Sequence, residues 1–63
     1  MTKEQIILGM IEVTNNITRR MSADQNMDLV VVEQHIESQR DNMAYYYSAI
    51  YGWLLEKQLI NNN

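Results

Sequence analysis

Apolar residues recur near the start of the chain at Ile6, Met10, Val13, Ile17 and Met21, at spacings of three and four. That period gathers them on one side of an α-helix, and Ile7 and Ile11 widen the stripe. Thr2 and Gln5 stand ahead of the run at capping-box spacing. Glu4 suits the positive end of the helix dipole, and Arg19 and Arg20 suit the carbonyl end of a helix closing near Met21. The pattern predicts a first helix over about residues 2–21. Gly9 weakens it by about 1 kcal/mol relative to alanine, unless it serves the close approach of another backbone.

A polar break follows at Ser22-Ala23-Asp24-Gln25-Asn26, where Ser22 and Gln25 repeat the capping-box spacing and Asp24 and Asn26 are alternative caps. Beyond it the apolar positions adopt a heptad period. One series is Leu29, Ile36, Met43, Ile50 and Lys57, the other Val32, Gln39, Tyr46, Trp53 and Ile60. Only Gln39 and Lys57 depart from the apolar or aromatic type, so the pattern reads as coiled-coil-like helix. Val30-Val31-Val32 and Tyr45-Tyr46-Tyr47 have strand propensity in isolation. Neither run alternates or is bounded by turn residues, and the longer period predicts a helix over about residues 24–60. Asn61-Asn62-Asn63 reads as a frayed tail.

These lengths do not match. At 1.5 Å per residue the first helix spans about 28 Å and the second about 55 Å. In a hairpin the first covers only half of the second, and the overhang carries Tyr45, Tyr46, Tyr47, Ile50, Tyr51, Trp53, Leu54 and Leu55. Monomers rarely expose so much contiguous apolar surface. The expected fold is therefore all-α: one small domain over residues 1–63, built as a helical hairpin that assembles through its C-terminal half into a dimeric or higher bundle. The alternative is a compact three-helix bundle with a break near residues 38–42, where Ser38, Asp41 and Asn42 could cap a third helix. No glycine or proline marks that break.

Composition narrows the function further. Sixty-three residues bury too little surface for ample stability without help. Cysteine is absent and histidine occurs once, which removes disulfides, thiolate sites and multi-histidine metal centres. Hydrophobic residues make up 46% of the chain, too many for a disordered peptide. Regular helix packing and self-association are what remain. The net charge of −3, with Lys3, Arg19, Arg20, Arg40 and Lys57 scattered, lacks the basic stripe of a nucleic-acid binder. No apolar run approaches the length of a membrane span, and no signal peptide is recognisable, so a cytoplasmic location is expected.

No catalytic constellation appears: there is no thiol nucleophile, glycine-rich phosphate loop or nucleophile elbow. His35 lies two residues from both Glu33 and Glu37, a spacing that turns their side chains away from it on a helix. The expectation is a non-enzyme with no cofactor and no metal. Its distinctive feature is the clustering of all five aromatics between Tyr45 and Trp53. Tyrosine and tryptophan suit surfaces buried on association. The heptad register assigns Met43, Tyr46, Ile50, Trp53 and Leu54 to an oligomer interface. Tyr45, Tyr47 and Tyr51, with Arg40, are assigned to docking another protein. The methionines on the apolar faces read as gap-filling core residues.

The segment Met21-Ser22-Ala23-Asp24-Gln25, taken with Arg40-Asp41, is similar to the small phycobilisome-degradation adaptors of cyanobacteria. The similarity covers a few capping residues and implies a short helical hairpin. The apolar register of the second helix departs from theirs, and no function or site residue is carried over.

The leading expectation is a self-associating protein of adaptor, anti-repressor or inhibitor type, of the kind phages and mobile elements encode. Two alternatives belong to other classes. One is an oligomer that binds a small ligand or nucleotide between arginine and tyrosine at the chain interface. The other is a small DNA-binding regulator using paired Arg19 and Arg20.

Overall fold

A computed structural model describes residues 1–60. The described residues are all-helical, with no strand: α1 spans Lys3–Asp24, α2 spans Leu29–Ser38 and α3 spans Arg40–Glu56. Asn61, Asn62 and Asn63, expected to form a tail, lie outside the described residues.

α1 starts as its sequence dictates. Thr2 is the N-cap, its hydroxyl accepts from the Gln5 amide, and the Gln5 side chain accepts from the Thr2 amide. Both halves of the capping box are therefore made. The other end differs from expectation. Ser22, Ala23 and Asp24 continue α1 and do not start a new helix. The stop is a Schellman motif two residues later: the Met27 amide donates to the Ser22 carbonyl and the Asn26 amide to Ala23. Asn26 supplies the required left-handed residue, at φ 57°. Asp28 then caps α2, accepting from the Val30 amide at 2.9 Å. Several residues between positions 22 and 28 have capping chemistry, and spacing alone does not rank them. Because α1 runs on past Met21, Arg19 and Arg20 no longer occupy its last turn, which holds no basic residue.

The long second helix is interrupted once. Gln39 separates α2 from α3 with φ −94° and ψ 2°, away from helical values. The interruption falls inside the 38–42 window but uses no cap: Gln39 makes no side-chain capping bond to α3. The Ser38 hydroxyl instead donates to the His35 carbonyl at 2.7 Å, and such back-bonding competes with the helical ladder and bends it. The ladder resumes at once, with the Met43 amide donating to the Gln39 carbonyl at 2.9 Å. The Val30-Val31-Val32 and Tyr45-Tyr46-Tyr47 runs are both helical despite their local preference, because packing of an amphipathic face outweighs propensity. α3 ends at Glu56, short of the expected residue 60. A second Schellman motif closes it, with Gln58 at φ 57° and the Leu59 amide donating to the Leu54 carbonyl at 2.9 Å.

α1 runs antiparallel to both other helices. Its C-terminal half meets α2, where Arg19 pairs with Glu33. Its middle meets α3, where the Thr14 and Tyr47 hydroxyls are 2.5 Å apart. At its start the Lys3 ammonium lies 5.8 Å from the centre of the Tyr51 ring, within cation–π range. The described chain measures 40 × 20 × 17 Å.

The core between these helices is thin. Among the described residues Val32 on α2 and Tyr51 on α3, 4% and 5% exposed, are the buried hydrophobic residues, and no side chain is fully enclosed. α1 explains why. The residues it turns inward are Ile7, Met10 and Ile11, then Thr14, Asn15, Thr18 and Ser22, so its second half packs a polar face against α2. Val13, Ile17 and Met21, expected in the seam, are each more than half exposed.

A candidate interaction surface on one flank

At about 100° per residue, Val13, Ile17 and Met21 lie within about a quarter turn of one another on α1. They line a shallow surface hollow with Asn16, Arg20 and Asp24, formed by α1 alone. On α3 the same geometry groups Tyr46, Ile50 and Trp53. Tyr46 and Trp53 are 62% and 52% exposed, and Ile50 is half-buried.

Two side-chain links mark the two flanks of the helix pair. On one flank Arg19 reaches Glu33 through Nε to Oε1 and Nη2 to Oε2, the second at 3.2 Å, a bidentate arrangement. Arg19 also donates to the Asn16 side chain at 3.0 Å. On the other flank Thr14 meets Tyr47, and Tyr47 stacks edge-on against Tyr46 with ring centres 5.4 Å apart. Ile17 and Met10 neighbour Thr14 on α1, and Ile50 neighbours Tyr47 on α3. The apolar stripes of α1 and α3 therefore open on the Thr14–Tyr47 flank, away from the ion pair.

The expected oligomer-interface residues divide accordingly. Tyr46 and Trp53 are outward, while Met43, Ile50 and Leu54 are half-buried between helices. The expected docking residues do not form one surface. Tyr51 is buried against α1, and Tyr47 is half-buried and tied to Thr14, so both serve the fold of the chain itself. Tyr45 is 81% exposed. Arg40 is exposed and donates to Glu37 of the preceding turn at 3.3 Å, a weak surface pair. α1 packs on the flank of α3 that carries Tyr47 and Tyr51, one helical position off the heptad seam.

Electrostatics at the ion pair are local. The hydrogen bond from Arg19 holds the Glu33 carboxyl below the usual glutamate value and raises the guanidinium further, each opposed by desolvation. Because the folded value for Glu33 lies below the unfolded one, its contribution is complete above the unfolded pKa. It is lost as pH falls through the folded pKa. A carboxyl titration followed by NMR is expected to show Glu33 titrating below the usual glutamate value in the native chain. Arg19→Met is expected to return it towards that value; a Glu33 value unmoved by Arg19→Met would rule the pairing out.

Among the described residues no group of three or more histidine, aspartate or glutamate side chains could hold a metal, and His35 is exposed. No described helix is long and apolar enough to cross a membrane. The features that sequence reasoning missed are the polar inner face of α1 and the Arg19–Glu33 link. Polar residues at Thr14, Asn15 and Thr18 carried no signal that they would face inward, since the stronger apolar stripe lay beside them. No protein-family model matches the chain, and no curated protein and no solved structure matches it.

Proposed function

We propose that this chain is a non-catalytic cytoplasmic protein that self-associates and acts by occupying a surface of another protein, as adaptors, anti-repressors and inhibitors do. The observation that carries this reading is the open core. The chain exposes 5234 Å², against about 4,200 Å² for a globular monomer of its mass. Large apolar side chains stand exposed on it, including Leu8, Val13, Ile17, Met21, Leu29, Val30, Val31, Tyr45, Tyr46 and Trp53. A second polypeptide that covers part of this surface supplies the burial a chain of this size lacks.

In this reading α2 and α3 act as one interrupted rod, with α1 laid along it as the short arm of a hairpin. Met43, Tyr46, Ile50, Trp53 and Leu54 contribute to self-association. Tyr45 and Arg40 remain outside it and face the partner protein. Sedimentation equilibrium at micromolar concentration is expected to give a dimer or a larger closed oligomer. A stable monomer would overturn the self-association. For the partner, affinity capture from source lysate is expected to recover a specific protein that Tyr45→Ala loses. Identical capture by both forms would remove Tyr45 from the partner site.

A further inference from the structure

Resting on that self-association, we infer that the contact between copies is a single face built jointly by α1 and α3, and not the C-terminal part of the rod alone. The occupant is a second copy of this chain, packed face to face to complete a bundle with two α1 helices and two rods.

Three observations lead there. First, the second half of the apolar stripe of α1 is turned away from the rod: there α1 presents Thr14, Asn15 and Thr18 inward and leaves Val13, Ile17 and Met21 outside. A helix that packs a polar face while an apolar face stands open has a second neighbour still to meet. Second, that stripe and the Tyr46, Ile50 and Trp53 stripe of α3 open on the same flank, joined across the helix pair by the Thr14–Tyr47 hydroxyl contact. The other flank carries the Arg19–Glu33 ion pair and is the poorer candidate.

Third, the exposed apolar area matches the apolar share of a standard dimer interface. Val13, Ile17, Met21, Tyr46 and Trp53 are each more than half exposed. They offer about 500 Å² of mostly apolar surface, taking roughly 150–250 Å² for each aromatic and somewhat less for the others. A standard interface buries about 800 Å² on each partner, a little over half of it apolar. The stripe of α3 alone falls well short of the apolar share of such an interface; the two stripes together supply it. Arg20 and Asp24, which border the α1 hollow, provide opposite charges at its edge.

The test is sedimentation equilibrium of the full chain with three single variants, each checked for helicity by circular dichroism. Ile17→Glu and Trp53→Glu place a charge on the two halves of the face. Each is expected to weaken association at least about a hundredfold, since a desolvated unpaired charge is costly. Leu8→Glu, on the ion-pair flank and more exposed than either, is expected to leave association unchanged. If Trp53→Glu dissociates the oligomer and Ile17→Glu does not, the joint face is wrong and the self-association stands. If the wild-type chain is itself a monomer, both readings fail together.

Should a variant lose its helices, the wild-type chain still answers. Mixing isotope-labelled and unlabelled chains is expected to give NOE contacts from the Ile17 methyls to the other copy. Their absence in a proven oligomer would overturn the joint face.

Discussion

Replacing Tyr51 by alanine is expected to leave the chain largely unfolded at 25 °C. Tyr51 is one of the two buried hydrophobic residues and the larger of them, seated on α3 against the start of α1. Truncating a buried aromatic to alanine costs about 3–5 kcal/mol through lost transfer energy and the cavity left behind. A core at this size supplies roughly 3–5 kcal/mol in total. The loss therefore matches the whole margin. Helical signal at 222 nm should fall by more than half in the variant at conditions where the native chain is folded.

Tyr51→Phe keeps the ring and its contact with Lys3 and should change stability by less than about 1 kcal/mol. Tyr45→Ala, at the most exposed of the tyrosines, should stay within about 0.5 kcal/mol of the native chain. A Tyr51→Ala chain melting within a few degrees of the native one would mean that the packing around Tyr51 is not the core.

That contrast shows what the sequence disclosed and what it hid. Tyr45, Tyr47 and Tyr51 look alike in a helical pattern: all lie off the Tyr46–Ile50–Trp53 seam, and all read as one docking set. In the folded chain they have three roles: Tyr45 in solvent, Tyr47 bonded to Thr14, Tyr51 in the core. The period of a helix says which residues share a face. It does not say which of two adjoining faces the neighbouring helix will choose. Here both faces of α3 are aromatic, so hydrophobicity could not decide between them.

Local signals fared better where the chemistry is short-range. The Thr2–Gln5 capping box depends on residues three apart and forms as its spacing dictates. The α1–α2 turn was harder, because Ser22, Asp24, Asn26 and Asp28 can all cap. The choice came from Asn26 accepting a left-handed backbone, which then leaves Asp28 to open α2. The interruption at Gln39 was visible only as a polar stretch without glycine or proline. The Ser38 hydroxyl beside it bonds back to the His35 carbonyl, but Thr14, Thr18 and Ser48 bond back likewise inside unbroken helices, so residue type does not mark the break. Of the face proposed for self-association, the α3 half is legible in the heptads, while the α1 half is not, because a helical apolar stripe ordinarily faces inward.

Gly9→Ala combined with Gly52→Ala is expected to raise stability by about 2 kcal/mol, the largest gain available without touching the core. Both glycines lie inside helices, neither has positive φ, and a Cβ built at either meets nothing within 4 Å. Neither position therefore uses the freedom that glycine provides, and each carries its entropic cost. For a chain this short, about 2 kcal/mol corresponds to a rise in melting temperature of roughly 8–16 °C. Melts must be compared at one protein concentration, since association also shifts the midpoint.

The two positions can be separated, and the separation is informative. If Gly52→Ala stabilises as expected and Gly9→Ala destabilises, space beside Gly9 is filled in the assembled protein. A backbone from another copy would then lie against α1 at that point. If both single variants stabilise by about 1 kcal/mol each, Gly9 is open in the assembly as well. If neither moves the melt, helix propensity is not limiting, and the stability of this chain resides almost wholly in what its exposed apolar face meets.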